Sequence, residues 1–156
     1  MELVPVPVEV AVAVTAGQPV GITHAPDWPH ADTADALRPL AEHGQGAGTF
    51  LVVVDGTVVG ECGRLRGPDE HGDAEIGYGL APSARGRGLG TAAVRALTAW
   101  LERQPGVRRV TAEVLVGNLP SRRLLEGLGF TAETTDGAYV GYRRDALHVD
   151  RSGDSG

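Results

Sequence analysis

The residues best suited to chemistry form a glycine-rich loop directly before a predicted helix, Arg85-Gly86-Arg87-Gly88-Leu89-Gly90. The first turn of a helix presents free backbone N–H groups and a partial positive charge, so an anion is its natural ligand. Glycines let phosphate oxygens approach the backbone closely, and the two arginines add positive charge. The loop therefore predicts a diphosphate site; the alternative is that its glycines only form a tight turn.

Two familiar nucleotide-binding loops do not match this spacing. A P-loop ends in Gly-Lys-Ser or Gly-Lys-Thr, whereas Leu89-Gly90-Thr91 offers no lysine. A Rossmann loop places its third glycine one position later, where Thr91 stands. The spacing therefore favours a phosphate site of another class.

The elements that must position this loop are a strand before it and a helix, a strand and a second helix after it. Ala74 to Leu80 alternates as a strand, with Glu75, Gly77 and Gly79 on one face. The helix after the loop leads to a second predicted strand, Val110 to Val116. This order predicts a βαβ unit, and the two glycines predict that one face of the first strand is open.

Alternation, turn residues and caps predict the remaining elements. They are an edge strand or extended arm within Val4 to Thr15, a short run from Val20 to Thr23, a helix from Asp32 or Thr33 to His43, a hairpin of Phe50 to Val54 and Thr57 to Leu65, a helix capped by Asn118 and ended by Gly129, and a closing hairpin from Phe130 to Arg143. In the first hairpin, Asp55-Gly56 can supply the positive φ angles of a type I′ turn.

Length and charge limit the possible functions. The 156 residues fit one domain, predicted over residues 1–149, with a small polar tail at 150–156 that is expected to be disordered. The net charge of -6 argues against a nucleic-acid surface. The longest apolar runs are far shorter than the roughly 20 residues of a membrane helix. We therefore expect a soluble, cytoplasmic protein without a membrane partner.

The cysteine and histidine content predicts neither a metal site nor a thiol nucleophile. The single cysteine, Cys62, lies within a predicted strand, where a small buried thiol is the commoner explanation. The five histidines lack metal-ligand spacing, and those in loops, His30 among them, are expected to be solvated.

Two blocks of sequence resemble the GNAT superfamily of N-acyltransferases. Arg85-x-x-Gly88-x-Gly90, after a strand containing Glu-Ile-Gly-Tyr, is similar to its acetyl-CoA signature. A later block, from Asn118-Leu119-Pro120-Ser121 to Leu128-Gly129-Phe130, is similar to the superfamily's strand-to-helix segment ending in Leu-Gly-Phe. Ser121 and the Glu-Ile-Gly-Tyr strand are closest to the subgroup that includes ribosomal-protein N-terminal acetyltransferases. The resemblance covers about residues 50 to 130.

The resemblance implies a fold, a co-substrate and a set of binding residues. The fold would be an α/β (α+β) domain with a mixed, twisted central sheet, splayed parallel strands and flanking helices. Acetyl-CoA would be the co-substrate, with no metal, and its pantetheine arm would pair with the strand end like an added strand. The residues implied in binding it are Leu80, Ala81, Arg85, Gly86, Arg87, Gly88, Leu89, Gly90, Thr91 and Asn118.

The resemblance also implies catalytic roles. An attacking amine must be neutral, although its free pKa is about 10.4, so a base or a proton-accepting water chain is needed. Glu75 stands where superfamily members often place a base; a solvated or salt-bridged carboxylate is the alternative. The position of the usual thiolate-protonating tyrosine holds Leu125. Ser121 is the substitute that the subgroup suggests, and helix capping is its alternative role.

The acceptor is implied only as an amine. Asp27 and Trp28 could contact it by charge pairing and a cation–π interaction, although a tryptophan that covers the core edge is an alternative. Tyr139 is a further candidate donor or contact, with strand packing as its alternative. A protein N-terminus, a polyamine, an amino sugar and an amino acid all remain open as acceptors. A non-catalytic acyl-CoA-binding module and a phosphate-binding interaction domain are the rival functions; homodimers are common among relatives.

Overall fold

The computed structural model describes residues 1–44 and 48–146, which form a mixed α/β fold. Its elements are β1 (Glu2–Pro5), α1 (Val8–Thr15), α2 (Thr33–His43), β2 (Thr49–Val54), β3 (Thr57–Arg66), β4 (Asp73–Leu80), a 3-10 turn (Pro82–Ala84), α3 (Leu89–Glu102), β5 (Arg109–Leu115), α4 (Leu119–Gly127), β6 (Thr131–Asp136) and β7 (Tyr139–Asp145). The strands form one sheet in the order β1-β2-β3-β4-β5-β7-β6. The predicted fold class is confirmed. The expected disordered tail lies outside the described residues.

The chain divides into two compact units that share its longer strands. Unit 1 comprises Met1–Gly63 and Tyr78–Val94, and unit 2 comprises Arg64–Gly77 and the chain from Arg95 onward. Within the described ranges, no helix combines the length and the apolar character that crossing a bilayer would require.

Unit 1 contains the predicted β2–β3 hairpin. The two strands pair antiparallel, and Asp55 and Gly56 both have positive φ, at 50° and 77°. These angles are those of a type I′ turn, which suits the twist of the flanking strands. β1 pairs antiparallel with β2, and α1 packs against α2. The hairpin and the helix to His43 are confirmed.

Two predictions in the first 24 residues are wrong. Residues Val8–Thr15 form helix α1, because Val10, Ala11 and Val14 bury one helical face that the period-two run of valines concealed. Pro7 precedes this helix with extended backbone and so separates it from β1. Residues 20–23 form no strand; only the neighbouring His24 makes an isolated bridge, to Val58.

Unit 2 contains the parallel pairing that the βαβ unit predicted. β4 and β5 pair in parallel from Asp73↔Arg109 to Glu75↔Thr111. On its other side β5 pairs antiparallel with β7 along its whole length, and β6 closes the predicted final hairpin.

Gly60 in β3 has no room for a side chain. A Cβ built there would overlap the carbonyl oxygen of Gly79 and lie 2.7 Å from Leu80 Cδ2. Gly60→Ala is therefore expected to lower the free energy of unfolding by about 1–3 kcal/mol, measured by chemical denaturation. Gly21→Ala is the matched control, because its Cβ meets nothing within 4 Å. Equal effects of the two changes would contradict this packing.

Candidate active site

The glycine-rich loop has the geometry of an anion site. Gly86 and Gly88 both have φ of +76°, and a Cβ at either position would meet nothing within 4 Å. The amide of Ala92 donates to the Gly88 carbonyl at 3.1 Å, which places Gly88 at the start of α3. The N–H groups of the first helical turn have no intrahelical acceptor. Glycines with empty side-chain positions therefore lie next to backbone donors at the positive end of a helix.

Two exposed arginines add charge to this loop. Arg85 and Arg87 are both solvent-exposed. Arg85 turns back toward the preceding strand, where its Nε donates to the Leu80 carbonyl at 3.3 Å. Its charge and the loop donors therefore belong to one electropositive segment that follows β4.

The end of β4 offers a backbone edge for an added strand. The Ala81 amide donates to the Val59 carbonyl of β3 at 2.8 Å, so this N–H is already used. Because backbone groups of successive residues in an extended strand alternate in direction, the Leu80 N–H and C=O point away from β3. The bond from Arg85 to the Leu80 carbonyl agrees with that direction. Of the two predicted residues, Leu80 is the one whose backbone could pair with a pantetheine arm.

Glu75 is held in an ion pair and does not face an open surface. Its Oε1 lies 2.6 Å from Arg66 Nε, and only 15% of its side chain is exposed. The prediction of an open glycine face is wrong. A Cβ at Gly77 would lie 3.0 Å from Leu65, and a Cβ at Gly79 would lie 2.8 Å from both Glu61 Oε2 and His30 Cε1. Larger side chains on neighbouring strands and loops occupy the space that the glycines leave.

Asn118 caps α4 in unit 2. Its Oδ1 accepts a hydrogen bond from the Ser121 backbone amide at 3.3 Å, which confirms the predicted cap at Asn118. Leu125 is fully buried and gives this helix its apolar anchor. At the C-terminus, Gly129 has φ of +89° and the Phe130 amide returns to the Leu125 carbonyl at 3.0 Å, which confirms the predicted glycine stop.

The three residues predicted to contact the acceptor lie in different surroundings. Asp27 accepts two hydrogen bonds from Ser83, from its amide and its hydroxyl, each at 2.7 Å. These bonds hold the pKa of the Asp27 carboxyl below its ordinary value, with a smaller contribution from the charge of Arg85. Trp28 is only 1% exposed, so an acceptor could touch its ring only if the ring were uncovered. Tyr139 is 46% exposed on β7.

A buried cluster around Glu61 was not anticipated. Glu61 in β3 is 3% exposed, and its Oε1 accepts from Trp28 Nε1 at 3.0 Å and from Thr33 Oγ1 at 2.9 Å. Its Oε2 lies 2.9 Å from His30 Nε2. The signal in the sequence was a glutamate inside the apolar run Val58 to Cys62, where buried glutamates are rare unless paired.

His30 is mostly buried, so its expected solvation is wrong. Only 8% of its side chain is exposed. The hydrogen bond to Glu61 raises the pKa of His30 above 6.5, its ordinary value, and the charges of Glu61 and Asp32 act in the same direction. Desolvation and the charge of Arg85 oppose this effect. The ring therefore takes up a proton more readily than an unperturbed histidine would.

Cys62 next to this cluster is a buried thiol. Desolvation raises its pKa to about 12, with a smaller contribution from the charge of Glu61. A thiol so rarely ionised is a poor nucleophile, in agreement with the sequence. Across residues 1–44 and 48–146, no group of three or more histidine, cysteine, aspartate or glutamate side chains could hold a metal ion.

Comparison with protein families identifies the class of this site. The model of the acetyltransferase (GNAT) domain matches residues 9–131, which is most of the chain. The chain belongs to the GNAT acetyltransferase family. It is therefore an acetyltransferase enzyme, and the resemblance inferred from the two sequence blocks is confirmed at the level of the family.

Known relatives of this GNAT acetyltransferase include two proteins of Bacillus subtilis. The uncharacterized N-acetyltransferase YjdG is 33% identical over 112 residues, covering 67% of each chain. The putative ribosomal N-acetyltransferase YdaF is 33% identical over 100 residues, which cover 62% of this chain but only 55% of that protein. A solved structure of Mycobacterium smegmatis RimJ in complex with CoA-disulfide is 27% identical with a TM-score of 0.65, covering 94% of this chain and 82% of the other.

Proposed function

We propose that this GNAT acetyltransferase moves an acetyl group from acetyl-CoA to a primary amine, by direct attack within a ternary complex. The observation that carries the proposal is the loop from Arg85 to Thr91, where a Cβ at Gly86 or Gly88 would meet nothing within 4 Å just before α3. Backbone donors, a helix dipole and two arginines together suit a diphosphate, which coenzyme A contains. The solved RimJ structure, in complex with CoA-disulfide, supports this choice.

The residues of this chain fit such a co-substrate. The amides of the loop and of the α3 first turn would hold the diphosphate, and the backbone of Leu80 would pair with the pantetheine arm. Acetyl-CoA, when bound, supplies an acetyl group that is already activated as a thioester. The chain must then position the amine, remove its proton and stabilise the developing oxyanion.

The acceptor class is proposed as a protein N-terminus or a small-molecule amine. The similarity to YdaF and to RimJ supports the ribosomal-protein N-terminal acetyltransferase subgroup. The net charge of -6 is compatible with a cationic acceptor. Asn118 as a cofactor contact and Ser121 as the group that protonates the leaving thiolate remain predictions, as do the acceptor contacts of Asp27, Trp28 and Tyr139.

One observation favours a second function, an acyl-CoA-binding module that does not transfer. The position where many family members have a tyrosine holds Leu125, which is fully buried and has no proton to give. A module of this kind would still bind acyl-CoA through the loop but would not transfer the acyl group.

Two measurements on the full chain separate these functions. We expect coenzyme A to raise the melting temperature, and acetyl-CoA to release free thiol with at least one amine of a panel. The panel comprises a peptide with an N-terminal serine, spermidine, glucosamine and free amino acids. Thermal stabilisation without thiol release would favour the binding module. The absence of any thermal shift would remove both functions that depend on coenzyme A.

A further inference from the structure

The Glu61 cluster contains a histidine whose two ring nitrogens have chemically different partners. His30 Nε2 faces the Glu61 carboxylate at 2.9 Å, and an ionised carboxylate can only accept, so Nε2 carries the hydrogen. Nδ1 faces the backbone N–H of Asp32 at 3.3 Å, and an N–H can only donate, so Nδ1 carries the lone pair. The surroundings therefore fix one tautomer of the neutral ring.

Glu61 is itself held firmly enough to impose this tautomer. Its other oxygen accepts from Trp28 Nε1 and Thr33 Oγ1, and the Thr33 hydroxyl in turn accepts from the His30 amide at 3.0 Å. All of these groups are in unit 1, and Trp28 and Thr33 are almost completely buried. A buried carboxylate with three hydrogen-bond partners is held in one position.

The ring lies beside the strand end that the proposed function assigns to acetyl-CoA. A Cβ at Gly79 would be 2.8 Å from His30 Cε1, and Gly79 immediately precedes Leu80. The bond between Nδ1 and the Asp32 amide lies on the exposed side of the ring, and 3.3 Å is long for a hydrogen bond. An incoming group could displace that contact without breaking the bond to Glu61.

We propose that His30 and Glu61 form a dyad in which His30 Nδ1 removes the proton of the acceptor amine, the role that the sequence assigned to Glu75. This inference rests on the proposed acetyl transfer. An ammonium group gives one proton to Nδ1, and Glu61 stabilises the imidazolium through Nε2–H. The neutral amine nitrogen then forms the bond to the acetyl carbon while the C–S bond breaks. The second nitrogen proton passes to the leaving thiolate, and His30 releases its proton to solvent.

Glu61→Gln is the most discriminating variant, because it keeps the shape of the side chain and replaces one acceptor oxygen by a donor NH2 group. The amide oxygen of glutamine can still accept from Trp28 and Thr33, which leaves its NH2 group facing His30 Nε2. Nε2 must then accept, so the ring hydrogen moves to Nδ1 and the base is lost. We expect kcat/KM to fall by about 10² to 10⁴, the usual contribution of general acid–base catalysis, with the thermal shift by coenzyme A retained.

The pH profile and the ring spectrum give readouts that a purely structural role would not move. In the wild type, kcat/KM should fall as the pH drops through the pKa of His30, with the midpoint found by NMR titration of that ring. ¹⁵N shifts should show the Nε2–H tautomer in the wild type and Nδ1–H in Glu61→Gln. Glu70 and His71 form an exposed pair at 3.5 Å, and His71→Gln is the matched control, expected to change neither the profile nor the His30 spectrum.

The outcomes separate failure of the dyad from failure of the proposed function. A wild type that shows no thermal shift with coenzyme A, or no thiol release with any amine of the panel, overturns the transferase and the dyad together. Thiol release with an unchanged rate in Glu61→Gln overturns the dyad alone. An Nδ1–H tautomer in the wild type would also overturn the dyad alone. So would a fall of kcat/KM at low pH that disappears in Glu75→Gln and persists in His30→Gln.

Discussion

Replacing Gly88 by aspartate is expected to weaken coenzyme A binding by on the order of 100-fold, compared with asparagine at the same position. Gly88 directly precedes α3 with φ of +76°, and asparagine and aspartate are the non-glycine residues that best tolerate such a backbone. Both also cap helices well, so the pair differs mainly in one negative charge. A unit charge at 4 Å from a phosphate costs about 1 kcal/mol in water and about 4 kcal/mol at an effective dielectric of 20.

Isothermal titration calorimetry of both variants with coenzyme A measures this difference. The melting temperatures of the two free proteins should agree, which shows that the charge acts on the ligand and not on the fold. The difference in affinity should shrink at high salt, because screening weakens an exposed charge. Equal affinities of Gly88→Asp and Gly88→Asn would mean that no diphosphate approaches this helix start.

Replacing Trp28 by alanine is expected to lower the free energy of unfolding by about 3–5 kcal/mol. The ring is 1% exposed, so the change removes a large buried side chain and leaves a cavity. It also removes the indole N–H that donates to Glu61 Oε1 at 3.0 Å, in a site where the carboxylate has little access to water. Equilibrium unfolding in urea measures the loss.

Two further variants divide this effect into packing and hydrogen bonding. Trp28→Phe keeps most of the ring volume and removes only the donor, so it should cost less than the alanine variant, about 1–3 kcal/mol. Val12→Ala is the surface control, because Val12 is 46% exposed, and it should change stability by less than about 0.5 kcal/mol. A phenylalanine variant as unstable as the alanine variant would show that packing contributes little.

The predictions that succeeded depend on residues close together in the chain. Asp55-Gly56 forms a type I′ turn because two adjacent residues accept positive φ, and the long pairing of β2 with β3 follows from it. Asn118 caps α4 through an amide three residues away. The open glycine loop before α3 likewise depends on its own backbone. Turns, caps and loops of this kind can be predicted from the order of the residues.

The predictions that failed depend on burial. The valines from Val8 to Thr15 alternate with period two, yet helix α1 forms because Val10 and Val14 share a face that packs against α2. Gly77 and Gly79 predicted an open strand face, but side chains from neighbouring elements fill the space beside them. Periodicity indicates which positions could be buried together, but it does not indicate which side chains of other elements cover them.

The sequence by itself determined the family, the glycine-rich loop before α3 and most element boundaries, because these depend on short spacings and on backbone preferences of glycine, proline and capping residues. Only the tertiary structure joined Trp28, His30 and Thr33 to Glu61, which lies about 30 residues further along the chain. A buried carboxylate needs donors from wherever the fold can supply them. Contacts across such separations arise from packing, and no local pattern encodes them.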